Sequence, residues 1–370
     1  EQCLKCLSAT ITGLSNLMPK LPTASTHWKS LLLPFIGLLF VFVLFTVLIA
    51  IFQPDNLEAF LSSRNAKTVI TQTVIVGIGA LGMTMVITSG GIDLSAGSQI
   101  ALASVACALT LNAFAEGDPA TIGVLGMLVA TLAAMAAGAA TGAFNGSVSC
   151  LLKIPPFIVT LGTMMIARGA AEGIANQSQV RTPDNTLQNF MQRNPDPEWL
   201  ILAPGVWITI LLLIVVAVTM RYTVFGRYIY ALGSNESTAR LCGVPVTRTR
   251  ILIYTLAGLL MGISGAMSYA FLGSGDPTTA VAKELDIIAA VVIGGGSLNG
   301  GKGSAIGSIA GALIMTLLVS GCGMLNVPDW SQKIIIGFII IGAVAVDTLK
   351  NRSRKLPLSD ACPQPDKAES

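Results

Sequence analysis

Charge is scarce in this sequence. Of 370 residues, only 11% are Asp, Glu, Lys or Arg, and there is a single histidine, His27. Soluble domains carry charge on about a quarter of their residues, so a soluble globular protein is excluded. One histidine and no His/Asp/Glu cluster leave no catalytic constellation and no metal-ligand set, and none is expected. Carboxylates suited to a proton or sodium relay are missing from the middle of the apolar runs, which argues against an ion-coupled transporter. Aromatic residues make up 6%. The seven cysteines are scattered; only Cys3-x-x-Cys6 has redox or metal spacing, and no second pair or histidine lies near it. Cys107, Cys150 and Cys322 sit in or beside apolar runs and read as small core residues. Residues 1–30 hold no apolar core flanked by a cleavage site, so no signal peptide is expected.

Apolar residues dominate instead, at 53%, together with 38 glycines. Helices in lipid associate through close approach of small residues, so the composition predicts a tightly packed bundle. The fold class expected is an all-α polytopic membrane protein of about ten transmembrane helices. A polar tail, 1–30, precedes a membrane domain, 31–349, and a second polar tail, 350–370, follows. The apolar runs fall at about 31–52, 68–88, 93–114, 120–150, 156–175, 200–220, 250–273, 284–295, 303–324 and 332–349. Most meet the length of about 20 residues that a span needs. The eighth is short and begins with three charges, which predicts a tilted or partial span. A break is expected at Glu116-Gly117-Asp118-Pro119.

With ten spans and both ends in the cytoplasm, fifteen of the 22 lysines and arginines lie inside, six lie outside, and Arg168 is within a span. Twelve of the 19 acidic residues fall on the outer side or in the outer ends of spans. The positive-inside rule supports this orientation. It places residues 221–250, RYTVFGRYIYALGSNESTARLCGVPVTRTR, in the cytoplasm. Within that basic stretch, 231–243 reads as a turn followed by a short helix. Ser234 or Asn235 can cap it, and Gly243 and Pro245 stop it. On the residues alone, this is either a force-transmitting element or a positive-inside loop.

Two glycine-rich breaks resemble each other. VITSGGIDLSAGS (86–98) aligns with VIGGGSLNGGKGS (292–304) at an offset of 206 without gaps, in keeping with duplicated transporter halves. In the first, Gly90 and Gly91 end a helix, and Asp93 or Ser95 can cap the next. Broken helices are tolerated where they line a cavity. The stretch is therefore either a tight turn with Asp93 as a cap, or part of a translocation path or gate. The candidates for that path are Gly90, Gly91, Asp93, Ser95, Asn145 and Asn299. The second break approaches a nucleotide-binding loop at Gly296-x4-Gly301-Lys302. That motif needs Ser or Thr directly after Lys, and Gly303 stands there, so a turn between packed helices is expected. Arg168 and Glu172 are spaced to pair along one helix face, and Asp347 lies beside Lys350.

Several separated segments carry a family resemblance. The TGGIDLS-like stretch, NG…PPFIVTLGTM…RG, ALGSNE..AR..GV and GGGSL.GG.GS…GA, in this order over about 68–350, resemble the membrane permease subunit of ribose-, galactose- and arabinose-type bacterial ABC sugar importers. Thr238, Cys242 and Ser89 depart from the residues usual there. The resemblance implies that 233–243 docks on a cytoplasmic ABC ATPase, with Gly233, Ser234, Asn235, Glu236, Ala239, Arg240 and Gly243 as the coupling residues. It implies a multi-pass protein of the bacterial inner membrane. Its partners would be a second permease copy or sister permease, a periplasmic sugar-binding protein delivering solute to loops 176–199 and 274–286, and the lipid bilayer, with no nucleic acid. No cofactor is expected on this chain, since ATP is used by the partner. The alternative is a stand-alone secondary transporter or channel; an integral membrane enzyme is a weaker third reading.

Overall fold

The computed structural model describes residues 24–115, 122–195 and 200–352. The Cys3/Cys6 spacing, the break at 116–119 and most of both polar tails lie outside these residues. Thirteen α-helices follow in chain order: α1 (Ala24–Phe52), α2 (Leu57–Leu61), α3 (Ser63–Thr88), α4 (Ala96–Ala115), α5 (Val124–Leu151), α6 (Pro156–Ile174), α7 (Pro204–Tyr222), α8 (Val224–Ser234), α9 (Glu236–Leu241), α10 (Val246–Leu272), α11 (Lys283–Ile293), α12 (Ala305–Met324) and α13 (Asp329–Arg352). Ten of them coincide with the ten expected apolar runs. Eight are long and apolar enough to cross a membrane; α11 is not among them. The chain is an all-α polytopic membrane protein.

The bundle is built around α3, α10 and α12. In α3, 83% of the most apolar window is buried, against 11% in α1, so α3 is the core and α1 the rim. The closest packing is between α5 and α10. A side chain at Gly138 or Gly142 would run into the backbone carbonyls of Gly258 and Tyr254, and one at Gly262 would lie 2.5 Å from Ala134 O. Small residues four apart thus let two backbones touch, as the glycine content anticipated.

Residues 231–234, expected to form a turn, end the helix α8 instead. Thr223 Oγ1 caps it by accepting from Gly226 N at 3.1 Å. Phe225, Ile229 and Leu232, spaced on one face, pack into the core and hold it.

The chain dips inward after α10. Two short strands, β1 (Val180–Arg181) and β2 (Ser274–Gly275), pair antiparallel with Val180 opposite Gly275. They join loops 176–199 and 274–286. Gly275 packs against Ser104 and Ala108 of α4, whereas Ala280 O lies beside Gly97 of the same helix. Those eleven residues of α4 correspond to about 16 Å, so 276–282 descends along α4. The following helix, α11, has 11 residues. It covers about 16 Å, half of a hydrocarbon core about 30 Å thick. The partial span expected here is a half-helix continued by an extended re-entrant segment.

Both glycine-rich breaks open with the same helix stop. After α3, Gly91 N donates to Val86 O at 3.0 Å and Gly90 N to Ile87 O at 2.9 Å; after α11, Gly296 N donates to Val291 O at 2.8 Å and Gly295 N to Val292 O at 2.9 Å. Gly90 and Gly295 are left-handed, at φ 83° and 94°, the conformation that closes this motif. The helix ends therefore correspond at an offset of 205, and the next helix starts, 96 and 305, at 209. The ungapped offset of 206 matches composition across two links of different length.

Candidate functional site

The first link, 89–95, holds a fully buried polar cluster. Asp93 Oδ1 accepts from Ser95 N at 2.9 Å and from Ser95 Oγ at 2.5 Å, and Oδ2 accepts from Gln99 Nε2 at 3.0 Å. Ser95 Oγ also accepts from Asn145 Nδ2 of α5 at 2.9 Å. Thr160 of α6 braces the link from the other side, accepting from Leu94 N at 3.1 Å and donating to Ile92 O at 3.3 Å. Asp93 accepts from the start of α4 as a cap does, and it also anchors α4 to α5 through Ser95. Three of the expected path residues, Asp93, Ser95 and Asn145, thus converge. Gln99 and Tyr254 join them without having been singled out. The Tyr254 hydroxyl sits against Gly91, where an added Cβ would strike it. Its burial on a helix 163 residues downstream left no local signal in the sequence.

Gly90 is exposed, Gly91 is buried and Asn299 is exposed. The glycine loops around them meet the end of α8 backbone to backbone. Gly301 N donates to Thr88 O at 2.8 Å. A Cβ at Gly233 would overlap Thr88 O and lie 2.5 Å from Gly301 N, and one at Gly300 would lie 2.6 Å from Gly233 O and 3.0 Å from the Gly90 Cα. Tyr230 of α8 adds a bond from its hydroxyl to Gly303 O at 2.9 Å. The end of α8 and both helix breaks therefore form one knot, and only glycines fit in it.

Beyond the knot, Asn235 caps α9, its Oδ1 accepting from Thr238 N at 3.0 Å and from Ser237 Oγ at 2.7 Å. Ser234 closes α8 instead. Gly243, at φ 82°, ends α9 as expected: Val244 N donates to Ala239 O at 3.1 Å and Gly243 N to Arg240 O at 3.1 Å. Ala239 is buried beneath the helix, whereas Leu241 is 89% exposed. Glu236 bonds Arg240 at 3.1 Å and Arg250, on α10, at 2.6 Å. The Arg250 guanidinium hydrogen-bonded to Glu236, assisted by Arg240, holds this carboxyl below its ordinary value of 4.5. A cleft of about 620 Å³ opens beside it, lined by Gly90, Gly91, Lys153, Glu236, Arg240 and Arg250 among others.

Arg168 behaves differently from its sequence spacing. Its Nη1 donates to Pro277 O at 2.5 Å and Thr279 O at 2.8 Å, and it makes no ion pair with Glu172. The carbonyls of the re-entrant segment come within reach and take the donors that Glu172 was expected to accept.

A family profile described as branched-chain amino acid transport system / permease component matches residues 65–344. Among curated proteins, the ribose import permease protein RbsC of Escherichia coli (strain K12) is 37% identical over 292 residues, 79% of this chain and 88% of the relative. The L-arabinose transport system permease protein AraH of the same strain is 34% identical over 319 residues, 86% and 92% of the two chains. The fructose import permease protein FrcC of Rhizobium meliloti is 34% identical over 293 residues, 78% and 79%. No solved structure matches. With a profile that spans most of the chain and relatives of this identity over nearly their whole length, the chain belongs to the permease-component family so described, and it is a multi-pass membrane transport protein.

Proposed function

We propose that this chain is the membrane subunit of an ATP-driven ABC importer that carries a monosaccharide from the periplasm to the cytoplasm across a bacterial inner membrane. The observation that carries the reading is α9. It is a six-residue helix with Leu241 exposed and its base fixed to α10 through Glu236 and Arg250. A small rigid helix with an apolar side chain facing out suits insertion into a partner, and a cytoplasmic ATPase is the partner assigned to it. The ATP sites lie on that subunit, and this chain hydrolyses nothing. The relatives named above support a sugar as cargo. Ten spans with both termini cytoplasmic, and a second permease copy or sister permease, complete the arrangement. A periplasmic sugar-binding protein docks on the outer loops, which β1 and β2 hold together. ATP shifts the permease only because α9 makes different contacts with the two ATPase states.

The test is reconstitution in proteoliposomes with a candidate two-domain ABC ATPase and a candidate sugar-binding protein. Labelled D-ribose, L-arabinose, D-fructose and L-leucine are offered in turn. Uptake of one of the sugars that requires ATP and both partners is expected. Uptake by this chain alone without ATP would establish a stand-alone transporter, and uptake of leucine only would overturn the sugar assignment.

A further inference from the structure

The cleft beside the Glu236–Arg250 pair opens where several helices end. The link between α5 and α6, the helix α9 and the start of α10 meet around it. Lys153, Arg240 and Arg250 line it against one acid, Glu236, which leaves a surplus of two positive charges. Lys153 is exposed and belongs to none of the three ion pairs among the described residues. It follows the cap residue of α5 and is left-handed, at φ 54°. Glycine is usual at that position, because a side chain strains this conformation. The chain places a lysine there despite the strain. Arg240 and Arg250 each give Nη2 to Glu236. A guanidinium carries five N–H donors, so both retain donors for a second anion.

The surface next to the cleft narrows the ligand. Pro155 and Pro156 line the cleft and open α6. Phe157, Leu161 and Met165 follow at intervals of four, which puts them on one helix face, and all three are exposed. Gly162, beside Leu161, has open space where a side chain would stand. This apolar stripe runs about 12 Å along α6 away from the cleft. A free phosphate makes no use of such a stripe. A phospholipid matches both parts, its phosphate against the cations and an acyl chain against the apolar face. Basic pockets between membrane helices at the cytoplasmic surface suit anionic headgroups, and the charge count assigns this end of the bundle to the cytoplasm. The cleft volume of about 620 Å³ gives a headgroup room.

We propose that this cleft holds the headgroup of an anionic phospholipid, with one acyl chain laid on the Phe157, Leu161 and Met165 face of α6. The phosphate bridges Lys153 on one side to Arg240 and Arg250 on the other. The lipid thereby ties the link between α5 and α6 to the base of α9. The choice of the cytoplasmic leaflet rests on the importer reading and its orientation, while the binding does not.

The purified full chain in detergent is titrated with dioleoyl phosphatidylglycerol, dioleoyl phosphatidylcholine and glycerol 1-phosphate in turn, and bound ligand is counted by native mass spectrometry. ATPase, ATP and solute are left out, so failure of the importer reading cannot change the result. Phosphatidylglycerol should bind about ten times more tightly than phosphatidylcholine, or better. Lys153→Gln should reduce that preference about three-fold, and Lys153→Gln combined with Arg240→Gln should abolish it. Lys333→Gln, beyond the far end of α12, should leave it unchanged. Leu161→Gln should weaken phosphatidylglycerol several-fold. Equal affinity for the two lipids would overturn the site. Equal losses in the Lys153 and Lys333 variants would also overturn it, because the attraction would then be general. Glycerol 1-phosphate bound as tightly as phosphatidylglycerol, with Leu161→Gln unaffected, would replace the lipid by a soluble anion. Thermal unfolding midpoints of the same samples separate loss of the site from loss of the fold.

Discussion

Glu236 Oε2 and an Arg250 guanidinium nitrogen lie 2.6 Å apart across fourteen residues, and they fix the exposed helix α9 to the base of α10. Arg250 is the more enclosed partner, with 21% of its side chain exposed against 40% for Glu236. Removing the acid leaves a guanidinium without its nearest countercharge. Glu236→Ala and Arg250→Ala are each expected to leave insertion intact and to lower solute-stimulated ATP hydrolysis in the assembled complex several-fold. A hydrogen bond to a charged group contributes about 1.5–3 kcal/mol, and partial exposure puts this one near the lower limit. The exchanged pair, Glu236→Arg with Arg250→Glu, should recover part of the stimulation. Stimulation at the wild-type level in either single variant would remove the pair from coupling.

The same pair sets a pH dependence. The Glu236 carboxyl is held below 4.5 in the folded state. A depressed value contributes stability above the unfolded value and loses it as pH falls through the folded one. Stimulated hydrolysis should therefore show no step assignable to Glu236 between about pH 5 and 8, where the carboxylate stays charged. Attachment of α9, read from a spin label or fluorophore at Cys242, should loosen only on acidification below 4.5. Loosening near neutrality would contradict the ion pair.

At the contact of α5 with α10, Gly142→Ala is expected to destabilise. The added Cβ meets the Tyr254 carbonyl, part of a helix backbone that cannot rotate away. Overpacking of this kind costs about 1–3 kcal/mol. Thermal unfolding in detergent should show a lower midpoint for Gly142→Ala and little change for Gly169→Ala, which has open space around it.

Asp93→Ala should cost more than Asp93→Asn. Alanine leaves Ser95 N, Ser95 Oγ and Gln99 Nε2 without their acceptor in a buried site, and each orphaned group costs about 1–3 kcal/mol. Asparagine retains one acceptor oxygen. Equal loss of thermal stability in the two variants would deny the cluster its anchoring role.

Gly233→Ala is expected to insert but to fail in transport. The new methyl group overlaps Thr88 O and crowds Gly301 N, so the helix breaks and α8 must separate. ATP binding by the partner should persist while uptake falls by an order of magnitude or more. Normal uptake would show that the three segments need not touch.

Much of this arrangement was legible in the sequence because it is local. Apolar runs marked ten helices, eight of them long and apolar enough to span a membrane, and Asn235 and Gly243 marked the limits of α9 through the short-range bonds they make. Asp93, Ser95 and Asn145 were picked out together, and they meet in one buried cluster that ties α4 to α5. What escaped depends on distant partners. Arg168 left its helical neighbour Glu172 for carbonyls 109 and 111 positions away. Arg250 read as one of several arginines fixing orientation, because its acid lies across a turn. The descent of 276–282 had no periodic signal, since an extended segment beside a helix needs none. The repeat offset failed for a related reason: glycines match by composition while the two links differ in length.

The glycine knot separates two kinds of change that the segment from α8 to α9 can accept. Its grip on the helix breaks is main chain on main chain and is blind to the side chains outside it. The outward residues of α9, Ser237, Thr238, Arg240 and Leu241, hold none of those contacts. On the proposed reading of α9 as the ATPase contact, one exposed turn can be redrawn to suit a different partner while the attachment behind it stays unaltered.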